Sequence, residues 1–422
     1  MLLHYTIRMK GEKVKKSIHT HQLSCGAHLI VEQIDGVASC ALKWLVPAGS
    51  SSDPTDSIGV SAMLEELLFR GAGEFDTRAL SDAMDRCGLQ RHTHVGMHHL
   101  QLSSLCTAGE LDVAIGLLST ILRSPTLPED SLDAVRSLCL QELDALEDDP
   151  RTEVMLRLRQ QHRCAPFNRS GYGEREALER IALEAVRTAW LSSVVPEGSI
   201  ISVAGNVEVQ QLVDQFESLL STWSGEHLAP AVEAPADRGI SHITRDSNQS
   251  HIAMAWDAPN ASDEDTLLEH VACRVLSGSS SGRLFTEVRQ KRSLCYAVGA
   301  SYRAGRDDGV ISLYAGTTPD RAQETLDVAR AEFDRMRAGV SEDELARALL
   351  GLESEVVMGG ESTAARAAAL AMDWYKLGRV RTLQEIIDEL RAVTLEQLND
   401  YLARREHGSP TLVTMGPEPL KA

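Results

Sequence analysis

The feature that most restricts the fold of this 422-residue chain is that its second half retraces its first. Leu111-Asp112-Val113-Ala114 recurs as Leu326-Asp327-Val328-Ala329, 215 residues on. Glu129-Asp130, which opens a long helical pattern, recurs as Glu342-Asp343 at an offset of 213. Val203-Ala204-Gly205 parallels Val413-Thr414-Met415-Gly416, with the glycines 211 apart. Three near-constant offsets in one order point to a tandem duplication of an α+β domain of roughly 210 residues. The chain is also too long for one ordinary core.

Local patterns fill in each copy. His28 to Gln33 and Ser39 to Val46 read as a strand pair, with Leu29 and Val31 alternating with polar neighbours. Pro47 to Thr55 is turn material. A helix over Ile58–Phe69 follows, capped by Asp56 or Ser57 and ended by Gly71. Thr77 to Cys87 is amphipathic, and Gln90 to Leu105 alternates like a strand with His92, His94, Gly96 and His98 on one face. Helices are expected over Gly109 to Leu122, Glu129 to Glu147, about 174 to 194, and Val207 to Trp223. Ser199 to Ala204 is a buried strand. The expected division is a loose N-terminal arm over 1–17, a domain over 18–225, a Pro- and Ala-containing linker over 226–239, and a domain over 240–422.

Composition narrows the partners. The formal net charge is −19, which argues against nucleic acid, since phosphates are neutralised by Lys and Arg clusters. No run of about 18 apolar residues occurs, so no membrane span is expected. The opening Met1-Leu2-Leu3-His4 is too short for a signal core and precedes the basic stretch of Lys10 to Lys16, the wrong order. Eight cysteines are scattered with no C-x-x-C pair, which fits a reducing, cytoplasmic setting.

Two helices carry anomalies. In the first, Val60, Met63, Leu64, Leu67 and Leu68 make a core stripe. Ala62, Glu65 and Glu66 share another side, so two adjacent carboxylates sit on a largely apolar helix. In the long helix from Glu129, the stripe runs Leu132, Val135, Leu138, Cys139, Leu143 and Leu146, and Glu142 lies within it. A carboxylate there needs a partner, a metal or a proton.

The stretch Ile58-Gly59-Val60-Ser61-Ala62-Met63-Leu64-Glu65-Glu66-Leu67-Leu68-Phe69-Arg70-Gly71 resembles the G-x-x-H-x-x-E-H-x-x-F-x-G segment of the insulinase/pitrilysin-type (M16) zinc peptidases. Gly278 to Tyr296 resembles that family's second-domain signature almost position by position. Tyr314-Ala315-Gly316-Thr317-Thr318-Pro319-Asp320 and Val393-Thr394 add to it. The likeness covers about residue 20 to Pro417 and is nearest to the short bacterial members. It implies two tandem domains like those of mitochondrial processing peptidase, each a mixed or antiparallel sheet packed with helices.

The resemblance also implies a site. Two histidines four apart on a helix grip zinc, the Glu before the second acts as general base, and a distant Glu is the third ligand. Here the histidine positions are Ala62 and Glu66, and the base position is Glu65. Counting 76 residues from Glu66 reaches Glu142, the third-ligand position. Two carboxylates without an imidazole are a poor zinc site, so no cofactor is expected in this chain. The family's Arg and Tyr, seven apart, which reach the substrate and the developing oxyanion, correspond to Arg289 and Tyr296. The alternative for this pair is simple packing at a helix-to-strand junction. The strand with His92, His94, His98 and His99 resembles the edge strand that holds a peptide by strand addition. It could instead be an exposed strand or a substitute metal site. His270, in Thr266 to Leu276, is expected to be structural.

The family includes pairs in which one chain bears H-x-x-E-H and the other lacks it. The resemblance therefore implies a non-catalytic subunit of a heterodimeric metallopeptidase, with zinc in its partner and a peptide as substrate. A peptide-binding or assembly scaffold, or a homodimer with an unconventional metal, are the competing expectations.

Overall fold

The computed structural model describes residues 2–8 and 13–421. In chain order, the first half holds β1 (Leu2–Arg8), β2 (Lys13–Gln22), β3 (His28–Ile34), β4 (Ser39–Val46), α1 (Val60–Leu68), β5 (Gly71–Ala72), β6 (Phe75–Asp76), α2 (Thr77–Arg86), β7 (Gln90–Val95) and β8 (Leu100–Thr107). It continues with α3 (Leu111–Arg123), α4 (Leu132–Ala145), α5 (Pro150–His162), α6 (Arg175–Leu178), α7 (Leu183–Ser193), β9 (Ile200–Gly205) and α8 (Val209–Leu220). The second half holds β10 (Ile240–Thr244), β11 (Ser250–Ala258), α9 (Thr266–Ser277), β12 (Cys295–Ala304), β13 (Gly309–Thr317), α10 (Ala322–Arg335) and α11 (Glu342–Gly359). It closes with α12 (Thr363–Leu377), α13 (Leu383–Arg391), α14 (Leu395–Arg404) and β14 (Thr411–Gly416).

The two sheets repeat one plan. The first is ordered β1-β2-β3-β9-β4-β8-β7 and the second β10-β14-β11-β13-β12. In both, the last strand of its half runs parallel to the first strand of the shared plan, β9 to β3 and β14 to β10, and every other pairing is antiparallel. The five-strand order β3-β9-β4-β8-β7 is therefore matched strand for strand, and β1 and β2 are an addition to the first sheet. Both sheets are α+β units with mixed pairing, as the duplication implies.

Strand alternation separates two buried faces in each sheet. In the first, Leu29, Val31, Leu42, Trp44, Leu102, Ile201 and Val203 pack with α1, α3 and α8 in one large core. Trp44 is fully buried, edge-on to Phe216 and Trp223 at 6.0 and 5.8 Å between ring centres. On the opposite face Ile34, Ala41 and Ala204 meet Ala367 of α12. In the second sheet Ile252, Met254, Trp256, Leu313 and Leu412 form the core with α9, α10, α11 and α14. Its other face, with Ala253, Ala255, Tyr314 and Val413, receives Val154 and Leu158 of α5.

That packing changes the domain division. The first compact unit is the stretch up to Ala145 plus Ala165–Ala234 and Gly359–Gln384; the second is Leu146–Cys164, Pro235–Met358 and Glu385–Ala422. The contiguous 18–225 and 240–422 domains expected from sequence have thus traded one helical segment each. Pro150 and Thr363, the first residues of the traded helices, are 213 apart, the duplication's own offset. Glu32 and Arg366 fix α12 to the first unit, Arg366 Nε donating to Glu32 Oε2 at 2.6 Å with both side chains within 2% of full burial.

Three other expectations are corrected. Of the stretch 1–17 expected to be a loose arm, Met1 and residues 9–12 lie outside the described residues, and the rest forms β1 and the start of β2. Lysines masked the strand pattern there, yet Ile18 is fully buried and Lys16 is buried with its ammonium donating to the Gly360 carbonyl at 2.9 Å. Secondly, β3 and β4 are not paired; β9, some 155 residues beyond β4, lies between them, a long-range pairing with no local signature. Thirdly, Gln90 to Leu105 is a hairpin. It reverses at Gly96–His99, where Ser50 and Ser51 N–H groups bond to the Gly96 and Met97 carbonyls.

Candidate functional site

Helix α1 is positioned from both ends. Its N-cap is Gly59 in the left-handed region, φ 112°, rather than Asp56 or Ser57. A Cβ there would also lie 2.8 Å from the Gly173 Cα, so glycine is required on two counts. The cap acceptor is Asp53, further upstream: its carboxylate takes the Gly59 N–H at 2.7 Å, the Ser61 N–H at 3.2 Å and the Ser61 hydroxyl at 3.1 Å. Burial nevertheless pushes the Asp53 carboxyl up to about 7. The helix ends at Leu68 with Phe69 as C-cap, and Gly71 begins β5. Its stripe of Val60, Met63, Leu64, Leu67 and Leu68 is buried as the pattern demanded.

Away from that stripe, α1, α4 and β7 bring together the expected carboxylates. Glu65 is half-buried. Burial raises its carboxyl above the ordinary range, the charges of Glu66 and Glu142 add to this, and hydrogen bonds from the Thr93 hydroxyl and Val95 N–H oppose it. Glu142 is exposed, not on a buried stripe as the sequence suggested. Only Val135 and Cys139 of α4 are fully inside, and Leu138 is exposed, so the inward face of α4 is narrower than its apolar pattern. Partial desolvation first, and Glu66 second, still raise the Glu142 carboxyl. The neighbouring Cys139 thiol is pushed up to about 12 by burial and then by Glu142, Glu66 and Glu65.

The cations facing these acids are guanidinium groups. Arg70 lies 3.8 Å from Glu66, one helical turn on. Arg91 stacks 4.0 Å above the Phe69 ring and interacts electrostatically with Glu66. Ala62, at the position that the resemblance gives to the first histidine, is buried and offers a methyl group. Among the described residues no group of three or more His, Cys, Asp or Glu is arranged to hold a metal ion. An alanine, a carboxylate already beside an arginine, and a second carboxylate do not fit zinc, which takes imidazole or thiolate nitrogen and sulfur at most protein sites. No step through a metal held by this chain follows.

The histidines are dispersed. His92 and His94 are exposed on β7, the end strand of its sheet. By alternation they face away from Thr93 and Val95, which serve Glu65. His98 lies in the hairpin turn with its ring 5.5 Å from Phe167 and 5.6 Å from Tyr375, and His99 is buried edge-on to Tyr375 at 4.5 Å. His270 is edge-on to Tyr302 at 4.8 Å.

In the second unit two irregularities aim the Arg/Tyr pair. Phe285–Gln290 forms a π-helical turn, a distortion often found at functional sites, and it carries Arg289. Arg289 is exposed, its guanidinium 5.1 Å over the Phe285 ring and close enough to influence the Cys295 thiol. Among the described residues it has no ion-pair partner. Ser293 then adopts φ 53°, and the register of β12 against β13 slips between Cys295 and Ala297. Tyr296 is the bulged residue, 45% exposed, and a bulge re-aims a side chain in this way. Beneath the loop Glu287 is buried and takes Lys291 at 2.6 Å and Arg292 at 2.8 Å, which hold its carboxyl down at about 2. The chain segment is thus anchored by Glu287 while Arg289 and Tyr296 remain presented.

Sequence reasoning missed Asp53, Arg70, Arg91 and Thr93. Arg70 had a visible signal, its i+4 spacing from Glu66. Arg91 and Thr93 reach the helix from β7, a tertiary packing that no local pattern encodes, and Asp53 caps it from six residues upstream of Gly59, beyond the usual capping position.

The profile of the Insulinase (Peptidase family M16) domain matches residues 29–172, and that of the Peptidase M16 inactive domain matches residues 180–352. A protein described as an uncharacterized zinc protease from Streptomyces coelicolor is 25% identical, covering 97% of this chain and 92% of its own. One with the same description from Bacillus subtilis is 25% identical, covering 90% and 93%. Among solved structures, a peptidase M16 inactive domain from Pseudomonas fluorescens superposes with TM-score 0.86 at 20% identity over 96% of this chain and 99% of that one. A protease from Helicobacter pylori does so with TM-score 0.84 at 17% identity, over 94% and 99%. Repeated sheets, the α1 and α4 carboxylates, the Arg289–Tyr296 segment and these matches lead to one assignment: the chain belongs to the M16 peptidase family and consists of two tandem domains of that type.

Proposed function

We propose that this chain is the non-catalytic subunit of a heterodimeric M16-type metallopeptidase. A zinc-bearing partner with an intact H-x-x-E-H helix would supply the metal and the general base. This chain would supply Arg289, Tyr296 and part of the peptide-binding surface, including the open edge of β7. The observation that carries the reading is a contrast between the two units. At the positions that the resemblance gives to the two imidazoles stand Ala62 and Glu66, with Arg70 3.8 Å from Glu66, whereas Arg289 and Tyr296 stand exposed on a distorted segment. A guanidinium and a phenol are suitable donors to a peptide carbonyl or to the oxyanion that develops from it. The relatives' description as zinc proteases and the family profiles support a role in proteolysis. Scattered thiols, with Cys40 and Cys106 directly opposite across β4 and β8, suit a reducing cytoplasm.

The test is reconstitution. The purified chain should hold no stoichiometric zinc and cleave no peptide. Mixed with an H-x-x-E-H chain of similar length, it should support EDTA-sensitive cleavage. Arg289→Ala should then lower kcat by about 10²-fold, the order found for loss of one oxyanion donor, with assembly intact by size-exclusion chromatography. Tight zinc and cleavage by the lone chain would overturn the reading. Unchanged kcat in Arg289→Ala would return that residue to packing.

A further inference from the structure

The face of the first sheet that carries α12 is only partly covered. On β9, beneath the helix, every residue is buried. On β8 the residues of that face, Gln101, Ser103 and Leu105, are half-buried, and on β7 His92 and His94 are exposed. The cover therefore ends between β4 and β8, and the half-face from there to the outer edge of β7 is open.

A row of polar residues crosses that border. The register sets Ser202 of β9, Lys43 of β4, Ser103 of β8 and His92 of β7 directly opposite one another in turn, so all four side chains share one face. Lys43 is half-buried and has a hydroxyl on either side. Its ammonium donates to the outer one, Ser103 Oγ, at 2.9 Å. The inner one, Ser202 Oγ, is buried and finds no hydrogen-bond partner among the described residues. The charge is thus turned toward the open half of the face, with the exposed imidazole of His92 beyond it.

This cation is uncompensated. Among the described residues no carboxylate pairs with Lys43. None of the residues that β4, β8 and β7 turn to this face is acidic, in a chain whose net charge is −19. Burial holds the Lys43 ammonium below its ordinary range, and no neighbouring charge adds to or opposes that. A partly desolvated ammonium without a counter-charge is stabilised by an anion brought beside it, which supplies the missing attraction and accepts from the remaining N–H groups. Ser103 completes such a site. It accepts from Lys43, so its own O–H is free to donate. An ammonium and a hydroxyl side by side can hold the two oxygens of one carboxylate.

We propose that Lys43 and Ser103 form a subsite for a carboxylate of the peptide held by this chain, on the open half-face beside β7. The proposal rests on the peptide-binding role given to this surface above, and adds a preference for peptides with an acidic side chain or a free C-terminal carboxylate where they cross this face. The ammonium, bonded to Ser103, lies one strand spacing, about 5 Å, in from β7, within reach of a peptide residue carried over that edge.

The test uses the full chain labelled with 13C at lysine Cε and three ten-residue peptides of alternating Ala and Thr. One is blocked at both ends with a central Glu, the second has Gln in its place, and the third is the Gln peptide with a free C-terminal carboxylate. Lys43→Met identifies the Lys43 resonance. The Glu peptide should move that resonance and bind about five- to ten-fold more tightly than the blocked Gln peptide by titration calorimetry, between the strength of an exposed ion pair and that of a charge-assisted hydrogen bond. The same response to the third peptide instead would identify the terminus as the carboxylate. Lys43→Arg should keep the preference, Ser103→Ala should reduce it and Lys43→Met should abolish it. As competitors of cleavage in the reconstituted heterodimer, the preferred peptide should show a Ki lower than that of the blocked Gln peptide by the same factor. Equal binding of all three peptides overturns the subsite, and so does a preference that survives Lys43→Met. Equal Ki values in an active heterodimer also overturn it and leave the functional reading standing. If no partner gives cleavage, the functional reading falls and binding to the lone chain decides the subsite.

Discussion

Ala62 and Glu66 stand where the resemblance to zinc peptidases would place imidazoles, and Arg70 lies 3.8 Å from Glu66. Burial first, and then the charges of Glu66 and Glu142, raise the Glu65 carboxyl, and burial and Glu66 raise that of Glu142, so the three carboxylates still sense one another. Restoring the two side chains tests this directly. Ala62→His/Glu66→His should bind zinc at one equivalent by elemental analysis, and the parent chain is expected to take up none. Ala62 is buried, so the larger ring will lower stability by about 1–3 kcal/mol. Failure to take up zinc would mean that Glu142 is displaced from ligand geometry.

Asp53 gives a prediction with a defined sign. Its folded-state carboxyl is raised to about 7 from an unfolded value of 3.8. The fold therefore favours the protonated form, and this contribution is complete below the unfolded value and lost as pH rises through about 7. His162 and His407 act oppositely: burial lowers both to about 4, so their contribution is complete above the ordinary imidazole range and lost as pH falls through about 4. The two trends overlap in the wild type. Comparison with Asp53→Asn isolates the first, and the stability advantage of wild type over variant, followed by Tm, should shrink steadily between pH 4 and 7. A constant difference across that window would show that Asp53 is ionised throughout.

At the scale of elements, what sequence could show depended on how local the cause was. The α1 stripe was legible because five apolar residues at helical spacing meet one core. Glu142 was misjudged because a helix's apolar pattern does not say how wide a face its neighbours cover; Leu138 belongs to the pattern and is exposed. The insertion of β9 between β3 and β4 and the hydrogen bond between His251 and Tyr314 were out of reach. In each case the partners are brought together by pairing across a sheet, and His251 and Tyr314 are 63 residues apart. The lysines of β2 hid a strand because they interrupt the apolar alternation from which a strand is read, although β2 is paired on both sides. For α12 the decisive element contact is Glu32–Arg366. Arg366→Met alone should destabilise the chain by about 3–5 kcal/mol in urea unfolding, since it takes the guanidinium away from a fully buried carboxylate. Glu32→Leu/Arg366→Met, which removes both charges, should recover most of that loss. Equal losses in the two variants would mean that shape rather than charge holds α12.

At the scale of the whole chain, the duplication read from three short offsets is expressed as two sheets with the same five-strand order, and family membership follows from profiles that span both copies. The copies differ: the first sheet carries two additional strands, β1 and β2, and the second unit carries the π-helical turn and the bulge that present Arg289 and Tyr296. The reciprocal trade of α5 and α12 has a consequence for biosynthesis. A ribosome delivers the first sheet long before α12, so the nascent N-terminal half must wait with Ile34, Ala41 and Ala204 uncovered until residue 377 has emerged. By then every strand of the second sheet except β14 has been made, and α5, produced early, has also been waiting for its surface. Neither half can be finished before the other is nearly complete, which makes the linker a poor place to cut this protein in two and makes its two ancestral domains a single unit of synthesis.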